Sequence, residues 1–200
     1  MIYYHIYNRG AHKAPIFHDR SDYWRMLKLF FIANSPKPFN LSRFGETNIF
    51  STIRQETLVN ILAYCLMPNH IHIAICSKTD MYPEPGITKF MLKLCTAYSC
   101  YYNNKYSHSG TIWQGTYNKK IADDQLSYIR TLITYIHLNP YGIKEPEMTK
   151  DARKEHHNEA WEYSLGYEYS SLKDFIREGN PRQQFPILDP IEFEKWNNFR

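Results

Sequence analysis

The chain has 200 residues, 43% of them hydrophobic, which is enough for one compact domain with appendages and excludes a wholly disordered polypeptide. Its 24 Lys and Arg residues against 20 Asp and Glu give a formal charge of +4, which suits a nucleic-acid partner without requiring one. Apolar runs of membrane-spanning length and a basic leader segment are both missing, so we expect neither membrane insertion nor export and predict a cytoplasmic protein.

The periodicity of apolar residues predicts elements in the order β-α-β-β-α-β-α. In chain order they are a strand at 2–7, a helix capped by Asp22, strands at 58–66 and 71–76, a helix at 87–105, a strand at 111–121, and a helix capped by Asp123 or Asp124 that reaches Leu138. This order matches an α+β fold, a ferredoxin-like split βαβ antiparallel sheet with helices on one or both faces.

Polar and proline-containing stretches divide the remainder of the chain. Residues 34–56 are predicted to be an inserted loop, in which 48–53 could add a short strand. We place the main domain at 1–142 and a C-terminal extension that packs on it at 143–200. The four cysteines lack CxxC spacing and lie in apolar segments, so we expect reduced core thiols.

The histidines of His70-Ile71-His72 are the sharpest local signal. Residues two apart on a strand point to the same face, so both imidazoles can converge on one metal ion. An isolated HxH pair is often accidental. Here it directly follows an apolar strand and a Pro68-Asn69 turn, where a rigid sheet can present both rings.

The last predicted helix carries Tyr135 and Asn139 four residues apart, to one side of an apolar stripe. Taken alone, the helix favours a simpler interpretation, an amphipathic tyrosine and an Asn cap before Pro140. Combined with the histidines, however, the pair supplies a nucleophile and an amide oxygen for phosphodiester cleavage. Tyr128 lies on nearly the same side of the helix and is the rival nucleophile.

Several ordered motifs resemble the HUH endonucleases, in which U is a hydrophobic residue, and most specifically the REP-associated tyrosine transposases. The motifs are the segments at 4–10, 16–17, 22–23, 64–72, 110–114, 135–140 and 167–171. The resemblance implies that His70 and His72 bind Mg²⁺ or Mn²⁺, that Asn139 is a third ligand, and that Tyr135 is the nucleophile. It also implies cleavage and rejoining of single-stranded DNA near hairpins through a 5′-phosphotyrosine.

Contacts to single-stranded or hairpin DNA are predicted from residue type and position. Arg9, Lys119 and Lys120 could hold phosphates, and Trp113 with Gln114 could shape a base pocket, although each basic residue could equally be solvated and Trp113 could be core. We expect a monomer or homodimer associated with the nucleoid. Two other hypotheses stay open: a non-catalytic nucleic-acid-binding protein on the same fold, and a metal hydrolase of small phosphoesters.

Overall fold

The computed structural model describes residues 1–39, 49–52, 56–79, 84–122, 126–148, 155–176 and 179–197. Its strands are β1 (Tyr3–Arg9), β2 (Asn60–Met67), β3 (His70–Cys76) and β4 (Asn118–Ala122). Its α-helices are α1 (Arg20–Ala33), α2 (Pro85–Tyr106), α3 (Leu126–Leu138), α4 (Tyr141–Lys144), α5 (His157–Leu165), α6 (Leu172–Phe175) and α7 (Pro190–Asn197). Within the described ranges, no helix has both the length and the apolar character needed to cross a membrane.

The described strands form one antiparallel sheet in the order β2-β3-β1-β4. The two central strands come from the start and the middle of the chain, with Tyr7 opposite His72 and Arg9 opposite His70. On the other side of β1, Tyr7 is opposite Asn118 and His5 is opposite Lys120. This order and the helices on both faces confirm the α+β, ferredoxin-like sheet.

The two faces of the sheet differ because successive side chains of a strand point to opposite sides. Tyr4 and Ile6 of β1 and the three isoleucines of β3 point into the main core, against α1 and α2. The opposite face carries Tyr3, Ala74 and Cys76 in a smaller apolar cluster that α3 covers. Toward one end of that second face, polar residues replace the apolar ones, and this is where a site can form.

The segment after α5 runs along the outer edge of β2. Leu66 N donates to Tyr169 O at 2.9 Å, and Ser171 N donates to Tyr64 O at 3.0 Å. The outward-facing backbone groups of Tyr64 and Leu66 are therefore satisfied by the C-terminal part of the chain, which protects this edge of the sheet. This packing agrees with the expectation that the extension contacts the main domain.

Three local predictions need correction. The strand expected at 111–121 is replaced by the shorter β4, because Gly115 has a positive φ of 140° and interrupts the extended conformation. Helix α1 is capped by Asp19, not Asp22; Asp22 completes the capping box from inside the helix. Cys100 is exposed and Cys95 is half-buried, so only Cys65 and Cys76 are the core thiols expected.

Two further predictions fall partly or wholly on residues that are not described. Within the expected insertion, Ile49–Ser51 forms a turn of 3₁₀ helix rather than a strand, and Phe50 is buried against Phe31. Thr52 N donates to Ile49 O at 3.2 Å, and residues 48 and 53 lie outside the described residues. The same is true of the proposed caps Asp123 and Asp124.

Candidate active site

A cleft of about 1740 Å³ lies between the polar end of the second sheet face and α3. Strands β1, β3 and β4 supply its floor, and α3 with the chain just after it supplies one wall. Its described lining includes the basic residues Arg9, Lys13, Lys120 and Arg130 and no aspartate or glutamate. Such a cleft attracts a polyanion, because no carboxylate in the described lining offsets the positive charge.

His70 and His72 open β3 and both line this cleft, as the two-residue spacing predicts. Their ring centroids are 4.9 Å apart and their planes are nearly perpendicular, at 88°. His72 is buried, with 6% of its surface exposed, whereas His70 is half-buried at the strand end. The two imidazoles are therefore held side by side and are not splayed apart.

Each of these histidines has a hydrogen-bonding partner at Nδ1. His70 Nδ1 is 2.6 Å from Asn69 Oδ1, and Asn69 Nδ2 donates to Lys13 O at 3.0 Å. A backbone carbonyl can only accept, which fixes the orientation of the Asn69 amide, so Oδ1 must accept from His70. The neutral His70 ring consequently carries its proton on Nδ1 and its lone pair on Nε2.

His5 is a further residue of the site; it lies in the motif at 4–10 and was not among the predicted site residues. Its Nε2 is 2.8 Å from His72 Nδ1, and the two rings stack with centroids 5.0 Å apart. The signal was present in the sequence: His5 alternates with Tyr3 and Tyr7 on β1, the strand adjacent to β3. Recognising it required knowing that β1 and β3 are neighbours.

Tyr135 on α3 reaches the same imidazoles. Its ring lies edge to face against His5 and His72, with centroids 5.7 Å away in both cases. The nucleophile candidate and the histidine pair are thus contributed by one chain. Tyr128 also lines the cleft and is 49% exposed, which leaves it a rival on accessibility alone.

Asn139 lies at the end of α3 and lines the cleft beside Tyr135. Its backbone N–H donates to Ile136 O at 3.4 Å. The Asn139 side chain also bonds to the end of the helix, with Nδ2 donating to Tyr135 O at 2.9 Å. The hydrogen bond from Nδ2 agrees with the interpretation of Asn139 as a cap, and the role of Oδ1 as a metal ligand stays a prediction.

His137, two residues after Tyr135, joins helix α3 to the C-terminal segment. His137 Nε2 is 2.8 Å from Ser171 Oγ, and its ring packs against Phe175 at 4.8 Å. Burial, aided by the positive charge of Arg182, lowers the pKa of His137 to about 3. The C-terminal segment thus fixes the helix that carries Tyr135.

The side chains of the cleft can be compared with the ligands that divalent cations take in proteins. Within the described ranges, no three His, Cys, Asp or Glu side chains form a metal-binding group. The residues present would instead offer His70 Nε2, His72 Nε2 and Asn139 Oδ1, leaving the other coordination positions to water and phosphate oxygens. Mixed imidazole and oxygen ligands suit Mn²⁺ and are compatible with Mg²⁺, so the residues fit such an ion.

The proposed DNA contacts divide into two groups. Arg9, Gln114 and Lys120 are exposed and line the cleft. Trp113 is buried in the main core, where Nε1 donates to Cys95 O at 3.3 Å, so its expected role in a base pocket is wrong. Lys119 points to the other sheet face, with Nζ over the Tyr4 ring at 5.4 Å, and it does not reach the cleft.

Comparison with known proteins places the chain in a family. Residues 39–139 match the family model described as "Transposase IS200 like". Because this match covers half of the chain, the chain belongs to the IS200-like transposase family, which confirms the transposase resemblance.

Solved structures and curated sequences add little to this assignment. The chain is similar to a REP-associated tyrosine transposase bound to a REP hairpin, with 11% sequence identity, a TM-score of 0.48, and coverage of 92% of this chain and 84% of that one. A likeness at this level carries no information about individual residues. No curated protein matches the sequence significantly.

Proposed function

We propose that the protein is a transposase-like endonuclease and strand transferase that cleaves and rejoins single-stranded DNA near hairpins. The observation that carries the proposal is the contact of the Tyr135 ring with His72, inside a basic cleft that also contains His70 and Asn139. Tyrosine-mediated phosphodiester cleavage needs a nucleophile and a means of stabilising charge on the phosphate, and a phenol beside two imidazoles that could hold a cation offers both. Membership of the IS200-like family is consistent with this activity.

In the proposed reaction, Tyr135 Oη attacks the phosphorus and the bond from phosphorus to the 3′ oxygen breaks. The phenol loses its proton, the departing 3′ oxygen gains one, and the 5′ phosphate stays attached to Tyr135. In the return step a 3′-hydroxyl attacks this phosphotyrosine and releases the phenol. The phosphoester is exchanged rather than hydrolysed, so the strand can be rejoined without ATP.

The remaining cleft residues position the substrate. Arg9 and Lys120 would pair with phosphates on either side of the scissile bond, and the proposed set of His70, His72 and Asn139 would hold Mg²⁺ or Mn²⁺. When bound, the cation would supply Lewis-acid polarisation of the phosphate. The contact between Tyr135 and His72 within one chain supports a site formed by a monomer, one of the two predicted states alongside a homodimer.

We also propose a REP-associated rather than a generic transposase, with hairpin DNA as partner and the nucleoid of the cytoplasm as location. This finer assignment is supported by the motif resemblance and by the basic lining of the cleft. It predicts that substrates with a hairpin beside the cleavage position are preferred over unstructured strands of equal length.

The decisive experiment incubates the purified protein with end-labelled hairpin strands from its own genomic flanks, with Mn²⁺, with Mg²⁺ or with chelator. We expect a denaturant-resistant protein–DNA complex that requires the metal and is absent from Tyr135→Phe, while Tyr128→Phe retains it. Formation of the complex by Tyr135→Phe would reject Tyr135 as the nucleophile. Salt-sensitive binding without any adduct would favour the non-catalytic alternative, and cleavage without an adduct would favour a hydrolase.

A further inference from the structure

We infer that His5 is a positioning residue that fixes the tautomer and orientation of His72, so that His72 presents Nε2 to a divalent cation. The inference rests on the proposed function, because it concerns the same metal site. Its starting observation is the 2.8 Å distance between His5 Nε2 and His72 Nδ1.

The sheet register explains why these two rings meet. Residue His5 pairs across the strands with Ala74, and His72 pairs with Tyr7. His5 and His72 are therefore diagonal neighbours on the same sheet face, a separation that an imidazole can bridge. Ala74 has only a methyl group opposite His5, which leaves room for the His5 ring to lean toward His72.

The comparison with His70 gives the hydrogen bond its direction. Asn69 Oδ1 accepts from His70 Nδ1, so that ring carries its lone pair on Nε2. For His72 to contribute the same atom to one shared cation, its Nδ1 must carry the proton and donate to His5 Nε2. His5 then accepts a hydrogen bond from Nδ1 of His72, as Asn69 accepts one from Nδ1 of His70.

This direction also separates His5 from the metal ligands. With Nε2 engaged by His72, His5 directs its reactive nitrogen at another ring and not at the centre of the cleft. The described residues accordingly hold no group of three His, Cys, Asp or Glu side chains suited to a metal ion. Partners of this kind orient metal-binding imidazoles, and removing one typically weakens metal affinity by about 10- to 100-fold.

His5 has a second contact that links the metal site to the nucleophile. The Tyr135 ring lies edge to face against His5 at an interplanar angle of 78°, in addition to its contact with His72. The His5 side chain thus packs against both His72 of the proposed metal site and Tyr135, the proposed nucleophile. We expect its loss to affect the metal site first and the placement of the phenol second.

The test uses the full-length protein and three variants. His5→Ala removes the acceptor, His5→Gln restores an amide acceptor near the position of Nε2, and His108→Ala is the matched control, an exposed histidine that bonds to Asn103. Long-range ¹H–¹⁵N correlation spectra of the metal-free protein report which nitrogen of His72 is protonated. Mn²⁺ titration followed by electron paramagnetic resonance reports affinity, and thermal unfolding reports stability.

We expect His72 to be protonated on Nδ1 in the wild type and in His108→Ala, and to become a mixture of tautomers in His5→Ala. The Kd for Mn²⁺ should rise by about 10- to 100-fold in His5→Ala and recover largely in His5→Gln. Adduct formation by His5→Ala should be partly restored by saturating Mn²⁺. If His5 acts through His72, the tautomer of His72, the Kd for Mn²⁺ and the yield of adduct should change together.

An unchanged His72 tautomer and an unchanged Mn²⁺ Kd in folded His5→Ala and His5→Gln would overturn the inference. So would a wild-type protein that binds no Mn²⁺. If the wild type binds Mn²⁺ and the variants shift its Kd, but no hairpin yields an adduct, the role of His5 stands and the proposed strand transfer fails. If adducts form and the His5 variants bind Mn²⁺ normally, the proposed function stands and this inference fails.

Discussion

Lys119 and Lys120 are adjacent in β4 and point to opposite faces of the sheet. Lys120 is opposite His5 and lines the cleft, whereas Lys119 is opposite Ile6 and places its ammonium over the Tyr4 ring. Two neighbouring lysines of one strand thus lie on opposite faces of the sheet. Substitution of Lys119 is therefore a suitable control for substitution of Lys120.

Replacement of Lys120 by alanine is expected to weaken binding of single-stranded DNA regardless of sequence. Loss of one phosphate contact should reduce the slope of log K against log salt by about 0.7. Lys119→Ala should leave that slope unchanged. Fluorescence anisotropy at several salt concentrations measures both, and equal effects of the two substitutions would reject the cleft as the DNA path.

A second pair of neighbours, Trp113 and Gln114, separates stability from binding. Trp113 is buried in the main core, so Trp113→Ala should lower the free energy of unfolding by about 3–5 kcal/mol. Gln114 is exposed at the cleft, and Gln114→Ala should change stability by less than about 0.5 kcal/mol while reducing DNA affinity. Urea denaturation and anisotropy distinguish the two. A stable Trp113→Ala variant would contradict the core assignment.

Asn69 joins the histidine pair to the loop at the cleft mouth, because its two side-chain atoms bond His70 and the carbonyl of Lys13. His12 and Lys13 in this loop have φ values of 55° and 60°, a left-handed conformation that needs support from neighbouring groups. Asn69→Ala should therefore raise the Mn²⁺ Kd by about 10-fold and slow adduct formation.

The matched control for Asn69 is Asn103→Ala, which removes a similar amide hydrogen bond to Gly110 O outside the cleft. It should leave the Mn²⁺ Kd unaltered. If Asn69→Ala changes thermal stability but not the Mn²⁺ Kd, then Asn69 supports the loop alone and has no part in orienting His70.

The pH dependence of stability should contain a contribution from His137. Burial lowers its folded pKa to about 3 from an ordinary 6.5, so in this interval the unfolded chain binds a proton that the folded chain excludes. The contribution of His137 to the free energy of unfolding is therefore fully present above pH 6.5 and is lost as the pH falls toward 3. Between pH 7 and pH 5 the wild type should lose about 2 kcal/mol more than His137→Gln does. Urea denaturation at both pH values measures this difference, and identical pH profiles would show that His137 is already protonated when folded.

The order of the main elements could be predicted from hydrophobic periodicity. Each helix or strand shows its own periodicity within one continuous segment of the sequence. The convergence of His70 and His72 also followed, since residue spacing on a single strand determines which face they share. Tyr135 beside His72 did not follow from spacing and came from motif resemblance. It depends on how α3 docks, which the buried contact of His137 with Ser171 secures across 34 residues of chain.

The errors have a common physical origin in the packing between segments. His5 was missed because its partner is 67 positions away and meets it only through strand pairing. Lys119 and Trp113 were grouped with the DNA contacts by residue type, but side-chain direction on β4 and burial against α2 decided otherwise. Asp22 was read as a cap, although its carboxylate accepts hydrogen bonds from Tyr101, Tyr106 and Lys105 and joins α1 to α2.

The anchoring of α3 by Ser171 has a consequence for biosynthesis. A ribosome completes Tyr135 well before it adds the serine that holds His137, so a nascent chain carries the reactive phenol before its helix is fastened to the sheet. In the proposed enzyme, α3 would therefore be anchored only after the later segment has left the exit tunnel and paired with β2. Fragments that end before Ser171 would retain the histidines but lack the segment that anchors the helix carrying the proposed nucleophile.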